Sequence, residues 1–464
     1  RGALWLAEQG AGAAAAVGNL VIAFGDHQRG QLGYDPATAA RQVSRNTIVP
    51  VEPLRGAEAL QVEAAGVASF VVGSRGQLWA FGSNRSLELG ARKEIAQVQA
   101  PQRVKSVRDC RAVQVASSAS ASGQAHTLVL ADNGLVYTFG TSSSGALAQG
   151  PDVRQSAPLL LRMSMQVPIR QVLAGARHSL LISDEGKVFS VGDNSHGQLG
   201  FGHRDPANAW SPKSVNTPTP VEGALADSRA LLVAVGDDHN LATTEDGFVY
   251  AWGANSNGQL GLGRVGDQAV PVPIRDLQDM RVTSLACGAR HSLVVSGGGN
   301  QVWSFGSNVQ GQLGHGESSA SQGFQLCSPE PIARLSAQVV NEATNARQIV
   351  QVAAAGCHSL AVTRTGELMA WGDNSYGQLG FPREGRGHNL SQSVSGALQV
   401  AKYTMEKSPL TKQSRARAAL EVDTPKLFAE GVSRVHVPLK VVSVSLYRVL
   451  SVSTSDMHTL VLAA

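Results

Sequence analysis

A ten-residue segment recurs almost unchanged along the chain, as WGANSNGQLG from Trp252 and WGDNSYGQLG from Trp371. Related segments begin at five further positions: Phe24, Phe81, Phe139, Val191 and Phe305. Successive copies start 52 to 66 residues apart, and the seven units account for the whole chain. A fixed period of this length is typical of repeat architectures, in which each unit buries its apolar surface against its neighbours.

A second constant segment precedes most copies. It contains a small-residue turn, a histidine, two short apolar runs and a glycine-containing turn between them, as in AGARHSLLISDEGKVFSVG around His178. Asn133-Gly134 and Asp246-Gly247 suit two-residue hairpins, because such turns need positive φ at both central residues. The runs are apolar on both faces, which predicts strands that are covered on both sides. Each repeat is therefore predicted to be a small antiparallel sheet.

The two ends of the chain complement each other. Residues 18–33 contain the second half of a repeat, and residues 455–464 contain the histidine half alone. We expect both termini to pair in one blade, which closes the ring and removes its open edges. The sequence therefore predicts an all-β fold, a single seven-bladed β-propeller over residues 18–464. An N-terminal extension occupies residues 1–17, and a basic insertion occupies about 383–438 in the last repeat.

We expect the residues of the ten-residue segment to shape the repeat turn and not to take part in catalysis or ligand binding. Gly253 and Gly258 suit backbone conformations that a side chain would obstruct, and Asn255 can bond its own backbone in a turn. We expect Gln259 to bond the loop backbone and Leu260 to lie in the core.

Histidine recurs at one repeat position, and Phe70 takes the seventh place. A ring of metal-binding or catalytic histidines is one interpretation. We favour packed histidines that each bond a neighbouring turn, because there is one per blade and phenylalanine replaces it once. The adjacent serines are not catalytic triads, since each nucleophile would need its own base and oxyanion hole. The six structural histidines are His126, His178, His239, His291, His358 and His458.

Composition narrows the class of protein. Apolar residues make up 43% and charged residues 16%, a globular balance, and the formal net charge of +4 gives no global case for nucleic-acid binding. The four cysteines have neither C-x-x-C nor zinc spacing, which favours a reduced intracellular protein. A G-x-G-x-x-G match at 261–266 follows a repeat turn and does not join a strand to a helix, so it does not indicate a dinucleotide-binding site. We expect no catalytic residue, metal, cofactor or membrane span.

The paired G-x-x-H-S-L and W-G-x-N-x-x-G-Q-L-G segments resemble the regulator of chromosome condensation repeat family, whose members are seven-bladed propellers. The resemblance covers the chain from about Gly18 to Ala464. Members of the family differ widely in function, and three of its branches bear on this chain.

One branch is similar to a guanine-nucleotide exchange factor for the small GTPase Ran, in which an acidic residue just before a repeat histidine contributes to exchange. Asp238, which precedes His239, matches that arrangement, and Asp456 near His458 is a looser match. The alternative is that Asp238 caps a turn and accepts backbone N–H groups. Residues 1–25 contain no counterpart of that branch's basic N-terminal tail.

A second branch, the plant ultraviolet-B photoreceptors, needs clustered tryptophans near the repeat histidines. Here the residues before four of the histidines are Arg177, Asp238, Arg290 and Cys357, and the six tryptophans are dispersed. The sequence excludes that branch.

The third branch contains scaffolds and assembly factors, some of them in organelles. Two degenerate repeats favour it: Leu87 takes a glycine position, and SSSGALAQG from Ser142 lacks the Gln-Leu-Gly turn. We predict a non-catalytic scaffold or assembly component of a larger complex, with a Ran-type exchange factor as the alternative. The candidate partner-binding residues are Asp238, Asp456, Arg177, Arg290, Lys412, Arg415 and Arg417.

The insertion is the most individual part of the chain. Residues 381–440 contain ten Lys or Arg and five Asp or Glu, a net charge of +5. A short basic helix after Pro409 would bring Lys412, Arg415 and Arg417 together. A docking arm for RNA, an acidic protein or a membrane surface is one interpretation, and a solvated loop is the other. A second basic stretch, Arg85–Arg111, has seven basic and three acidic residues.

The first residue of the chain is Arg1 rather than methionine. A removed organelle leader and a trimmed tail both account for it. Together with the basic balance, it predicts an intracellular protein, mitochondrial or cytoplasmic.

Overall fold

The computed structural model describes residues 20–34, 49–104, 110–119, 123–161, 167–202, 213–316, 325–336, 348–381, 434–441, 444 and 447–464. Within these ranges, 28 strands form seven antiparallel sheets of four strands each. The sheets are arranged as blades around a central channel, which confirms the predicted seven-bladed propeller.

The innermost strand of each blade lines the channel. These strands are β3 (Ala59–Ala65), β7 (Ala112–Ala119), β11 (Ile169–Ala174), β15 (Ala230–Val235), β19 (Val282–Cys287), β23 (Ile349–Ala355) and β27 (Val449–Thr454). The second strands, which carry the repeat histidines, are β4 (Ala68–Gly73), β8 (Ala125–Ala131), β12 (His178–Ser183), β16 (His239–Thr244), β20 (His291–Ser296), β24 (His358–Thr363) and β28 (His458–Ala463).

The third strands lead into the repeated ten-residue turn. They are β1 (Leu20–Gly25), β5 (Leu78–Ser83), β9 (Val136–Ser142), β13 (Val188–Asp193), β17 (Val249–Gly253), β21 (Gln301–Ser307) and β25 (Leu368–Asp373). The outermost strands are β2 (Val49–Pro50), β6 (Gln97–Arg103), β10 (Val153–Leu160), β14 (Ser214–Pro220), β18 (Gln268–Pro273), β22 (Gln325–Pro331) and β26 (Arg434–Lys440). The helices described are single 3-10 turns at Glu52–Leu54, Gly223–Leu225 and Arg275–Leu277.

Six blades follow the order of the chain: blade 1 is β3–β6, blade 2 is β7–β10, and so on to blade 6, β23–β26. Blade 7 combines both ends of the chain in the order β2-β1-β28-β27. Leu20 pairs with Ala463 and Gly25 pairs with His458. The predicted closure by terminal pairing is confirmed, and it leaves no blade edge open between the ends of the ring.

The second strands explain why the apolar runs show no alternation. Every residue of β12, β16, β20, β24 and β28 is buried, because each strand lies in mid-blade and both of its faces contact a neighbouring blade. Burial of a full leucine or valine side chain stabilises a fold by about 1.5–3 kcal/mol. The inter-blade contacts therefore provide most of the hydrophobic core.

The side chains of the ten-residue turn bond the turn itself, as the sequence predicts. The Asn255 Oδ1 accepts the backbone N–H of Leu260 at 3.1 Å, and its Nδ2 donates to the Arg264 carbonyl at 2.8 Å. The Gln259 Oε1 accepts the N–H of Asn257 at 2.9 Å. Leu260 is fully buried. The side chains of Asn255 and Gln259 are themselves buried, so these bonds fix the turn from within.

Two glycines of this segment are required by their surroundings. Gly253 has φ of 101°, and a Cβ there would lie 2.4 Å from the Asp238 carbonyl oxygen. Gly258 has φ of 77°, and a Cβ would lie 2.8 Å from the Cys327 Cα in the next blade. Both positions combine left-handed backbone with close approach of main chain.

One hydrogen bond joins every pair of neighbouring blades. The side chain directly after each repeat histidine, and Ser69 in blade 1, donates to a backbone carbonyl in the repeat turn of the preceding blade, at 2.7–3.0 Å. The donor and acceptor residues are Ser69 to Gln31, Thr127 to Glu88, Ser179 to Ala146, Asn240 to Gln198, Ser292 to Gln259, Ser359 to Gln312 and Thr459 to Gln378. The turn of one blade is thereby held by the core strand of the next.

The basic insertion begins and ends on described strands. Asp373, at the end of β25, pairs with Arg434, at the start of β26. The first residues of β26 therefore fall inside the range 383–438. The rest of that range, together with Lys412, Arg415, Arg417 and the extension at 1–17, lies outside the described residues.

The degenerate turn of blade 2 gives a test of the left-handed positions. Ala148 occupies the place of Gly200 and keeps a positive φ of 53°. At Gly200, where φ is 75°, a Cβ would lie 2.8 Å from Val221 Cγ1. We expect Gly200→Ala to lower the free energy of unfolding by about 1–3 kcal/mol, because it adds strain and overpacking.

Ala148→Gly is the matched control. It relieves the same backbone strain, so we expect it to leave stability unchanged or raise it by up to about 1 kcal/mol. Urea unfolding of both variants measures the difference. A neutral Gly200→Ala would contradict this account of the turn.

Candidate partner-binding face

The two kinds of intra-blade connection that carry the repeat motifs open on the same side of the ring. Because strands alternate in direction, the link from first to second strand and the link from third to outermost strand lie at one end of each blade. We call this end the loop face. The hairpins between second and third strands lie on the opposite side.

The repeat histidines are buried beneath the loop face, and five of the six bond a strand side chain of the next blade through Nε2, whereas Nε2 of His126 has no hydrogen-bond partner within the described residues. Nε2 of His178 lies 2.8 Å from Asn240 Oδ1, and Nε2 of His239 lies 3.0 Å from Ser292 Oγ. Further contacts of this kind join His291 to Ser359, His358 to Thr454 and His458 to Ser69. All six rings are buried.

The turn before each histidine explains the glycine in the G-x-x-H pattern. A Cβ on Gly175, Gly236 or Gly288 would lie within 2.5 Å of the imidazole of His178, His239 or His291. The imidazole ring therefore occupies the space that a side chain would need. Glycine therefore accompanies histidine in the G-x-x-H pattern because of this packing and not because the two residues act in catalysis.

The seventh histidine position belongs to Ala68, and the assignment to Phe70 was wrong. Ala68 pairs with Gly82, as His358 pairs with Gly372 in blade 6. Phe70 lies two residues further along β4 in the core. The apolar run of β4 can be aligned in either register, because a shift of two residues keeps every side chain on the same face of the strand.

Burial keeps these histidines uncharged. It lowers the pKa of His126 to about 4 and the pKa values of His239, His291, His358 and His458 to about 3. The pKa of His178 is lowered by the same cause. At neutral pH each ring is a neutral hydrogen-bonding group and not a proton carrier.

The central channel has a volume of about 860 Å³ and is lined mainly by valine, leucine and alanine side chains of the innermost strands. Glu63, on β3, faces this channel and accepts the Ser453 hydroxyl of blade 7 at 3.2 Å. Burial raises the pKa of Glu63 to about 8, although bonds from the Ser117 backbone and Ser453 favour the charged form. Glu63 is therefore mostly protonated at neutral pH.

Carboxylates gather where the channel opens on the loop face. Asp237 and Asp238 lie in the link before His239, and Asp456 lies in the equivalent link of blade 7. Asp237 and Asp456 line the channel. We call Asp237, Asp238 and Asp456 the acidic mouth.

The carboxyls of the acidic mouth repel one another, and Arg290 offsets this repulsion only in part. Burial and then the charges of Asp456 and Asp238 raise the pKa of Asp237 to about 7. Arg290, which is exposed, opposes this shift. Burial and the charge of Asp373 also raise the pKa of Asp456. Like charges near one another disfavour ionisation, so a cation placed here would favour the charged forms.

Asp238 belongs to a polar network between blades 3 and 4. It is half-buried, and its Oδ1 accepts Gln198 Nε2 at 3.4 Å. The same Nε2 donates to Asp193 Oδ2 at 3.1 Å, and Asp193 is paired with Arg177 at 2.9 Å. Near these residues, His196 Nδ1 lies 2.8 Å from Asp267 Oδ2. Arg177 is thus an internal partner of Asp193 as well as a partly exposed cation.

The structure brings Asp238, Asp456, Arg177 and Arg290 to one face. Asp237, Asp193 and Glu63 were missed at the level of sequence. The sequence did contain a signal for Asp193, because aspartate follows the same glycine of the repeat at Asp26 and Asp373. Asp237 and Glu63 had none, because their significance depends on neighbours from other blades.

Tryptophans do not cluster in the described part of the chain. Trp79, Trp252, Trp303 and Trp371 lie in four different blades. Trp252 and Trp371 donate their Nε1 protons to the carbonyls of Gln198 and Gln312. These are the same oxygens that accept the inter-blade bonds from Asn240 and Ser359.

No helix in the described ranges has the length and apolarity that crossing a membrane requires.

Comparison with known proteins extends these observations. The profile of the regulator of chromosome condensation (RCC1) repeat matches residues 75–130, 133–182, 185–243, 246–295 and 300–362. A second profile of the same repeat matches 169–198, 232–259, 282–312 and 349–378. These segments cover more than half of the chain.

Individual relatives share the repeats at low identity. The ultraviolet-B receptor UVR8 of Arabidopsis thaliana is 32% identical over 271 residues, 58% of this chain and 55% of that protein. The chain thus spans about half the length of this curated relative.

Two solved structures share the fold across their length. Human WBSCR16 has a TM-score of 0.72 and 22% identity, over 96% of this chain and 98% of that chain. Prp20p of Saccharomyces cerevisiae, studied with its binding to Gsp1p and histones, has a TM-score of 0.70 and 17% identity, over 97% and 92%.

The buried histidines predict a loss of stability in acid. Their ordinary pKa is 6.5, and in the folded protein it is lowered, so below pH 6.5 the unfolded chain binds more protons. Each histidine then costs up to about 1.4 kcal/mol per pH unit. The pKa values of Glu63, Glu88, Asp237 and Asp456 are raised and act in the opposite direction, but they are four carboxyls against six histidines. We expect the urea midpoint to fall from pH 6.5 to pH 5, and a flat profile would contradict the burial of neutral rings.

Glu63→Gln isolates the carboxyl of the channel. Because the folded pKa is raised to about 8, wild-type stability is lost as pH rises from about 4.5 through 8. Glutamine keeps an acceptor for Ser453 but cannot ionise. We expect the variant to be more stable than wild type by about 1–3 kcal/mol at pH 9 and equal to it near pH 4.5, measured by urea unfolding. A constant difference at both pH values would show that packing, not ionisation, is responsible.

Proposed function

Because the chain belongs to the regulator of chromosome condensation repeat family, we propose that it is a non-catalytic scaffold or assembly component that binds protein partners through its loop face. The surface that it offers is the acidic mouth. The partner chemistry that fits this surface is a cationic patch or tail.

The observation that carries this proposal is the unbalanced charge at the mouth. Asp237 and Asp238 of blade 4 converge with Asp456 of blade 7, although these residues are more than 200 positions apart in the chain. Burial, and then the repulsion between these carboxyls, raises the pKa of Asp237 to about 7. A lysine or arginine side chain placed among them would offset that repulsion and speed encounter by electrostatic attraction.

Relatives are consistent with a binding role but do not identify the partner. Prp20p is described with binding to Gsp1p and histones, and its identity of 17% supports the shared fold alone. The basic insertion adds a further predicted docking arm, for RNA or an acidic surface, which starts from the same face at Asp373 and Arg434.

Exchange on a Ran-like small GTPase is the second candidate, and the position of Asp238 favours it. An exchange residue must lie on a propeller face, whereas a turn cap would accept backbone N–H groups. In the described part of the chain, the Asp238 carboxylate accepts the side-chain amide of Gln198. It lies half-buried on the loop face, beside the mouth.

One capture experiment separates the two candidates. The wild-type chain is used as bait in cell extract, once with EDTA and once with magnesium and excess GTP. We expect the same partners in both conditions and about tenfold weaker recovery with Asp237→Asn and Asp456→Asn combined, because the mouth loses its charge. Asp246→Asn, an exposed aspartate on the opposite hairpin side, is the matched control and should retain them.

Other outcomes decide against the scaffold proposal. A small GTPase captured only with EDTA, and lost with Asp238→Asn, would establish the exchange candidate in its place. Loss of all partners on deleting residues 385–430, with no effect of the aspartate changes, would move the interface to the insertion. Thermal unfolding of each bait separates loss of binding from loss of fold.

A further inference from the structure

Blades normally meet tightly at the repeat turn. At five interfaces, a turn glycine lies against the outermost strand of the next blade, where a Cβ would be only 2.1–2.8 Å from the nearest atom. These glycines are Gly30, Gly145, Gly197, Gly258 and Gly311. There is no room for any side chain between turn and strand.

Blade 1 departs from this rule. Leu87 takes the glycine position, with a left-handed φ of 63°, and its side chain is buried. Left-handed backbone costs a non-glycine residue roughly 1–2 kcal/mol. The leucine occupies space that the neighbouring strand fills elsewhere, and a crevice of about 370 Å³ lies between the turn of blade 1 and β10 of blade 2.

The walls of this crevice are held in place by hydrogen bonds. Asn84 Nδ2 donates to the carbonyl of Ile95 at 2.7 Å, which closes the loop that carries Arg85 and Lys93. The carbonyl of Ser86 accepts Thr141 Oγ1 of blade 2 at 2.8 Å. Thr141 pairs with Arg154 on β10.

Three cations from two blades line the crevice. Arg85, Lys93 and Arg154 are exposed and form no ion pair with any side chain of the described ranges. Glu88, the acid of the turn, is buried, and its Oε2 accepts the backbone N–H of Ser86 at 2.8 Å. Glu94 is exposed on the same loop but does not line the crevice. The cavity therefore presents positive charge that its lining does not neutralise.

We propose that this crevice binds the phosphoryl group of a phosphorylated serine or threonine in a partner protein. A phosphoryl group carries about −1.5 to −2 charge and three acceptor oxygens, which suits two guanidinium groups and one ammonium group around one cavity. Single-stranded nucleic acid is less suited, because it binds through stacking on aromatic side chains and the crevice is lined by none. The site is distinct from the acidic mouth.

The test uses two fluorescein-labelled peptide pools of eleven residues with random flanks. One has phosphoserine at its centre, and the other has serine. We expect fluorescence anisotropy at near-physiological salt to show binding of the phosphorylated pool only. Arg85→Ala combined with Arg154→Ala should weaken it at least about tenfold, because charge-assisted hydrogen bonds are lost. Arg75→Ala, an exposed arginine of the same blade on the opposite side, should leave it unchanged.

Leu87→Gly distinguishes the crevice from a merely basic surface. It keeps all three cations but removes the side chain that separates the blades, so binding should fall while thermal stability is retained. Equal binding of both pools, no effect of the arginine changes, or unchanged binding by Leu87→Gly would each overturn the proposal. Tighter binding of a 20-nucleotide single-stranded RNA than of the phosphorylated pool would assign the surface to nucleic acid instead.

Discussion

The inter-blade hydrogen bond from the second strand to the carbonyl of the preceding turn is the constraint on which the rest of the structure depends. Its acceptor is a backbone oxygen, so the turn must bring one peptide to the same place in every blade. The asparagine, glutamine and glycines of the ten-residue segment shape that turn, as Asn255 and Gln259 show. A buried acceptor left without its donor costs about 1–3 kcal/mol. Seven such bonds in a closed ring make each blade depend on both neighbours.

This constraint also decides which residues remain free for function. The histidine is committed to the next blade and the residue after it to the preceding blade, as His239 and Asn240 show. The residue immediately before the histidine bonds its own blade through its backbone, for example through the Asp238 carbonyl that receives the N–H of Ala254, and its side chain takes no part in the recurring bond between blades. That side chain can therefore vary from blade to blade. Aspartates from two distant blades can meet at the channel for this reason, and the proposed partner-binding surface leaves the bonds between blades intact.

The fold was predictable because period, hairpin turns and complementary ends all depend on local sequence. The register of one strand was not, and Ala68 was mistaken for Phe70 at the histidine position, since an apolar run without histidine fits more than one alignment. The site was predictable in part. Asp238 was visible beside its histidine, whereas the significance of Asp237 and Glu63 arises from charges and hydroxyls of blades far away in sequence.

Degenerate repeats show how the ring tolerates change. Glu88 and Ala146 both replace the glutamine of the turn, yet their carbonyls still accept Thr127 and Ser179. The bond survives because it uses the main chain, so substitution of the side chain leaves the ring closed. The interface between blades 1 and 2 can therefore accept Leu87 in place of glycine at the cost of local strain and a wider gap. Side chains of the turn can therefore depart from the repeat while the main-chain bond between blades is kept. The cationic crevice is one consequence of such a departure.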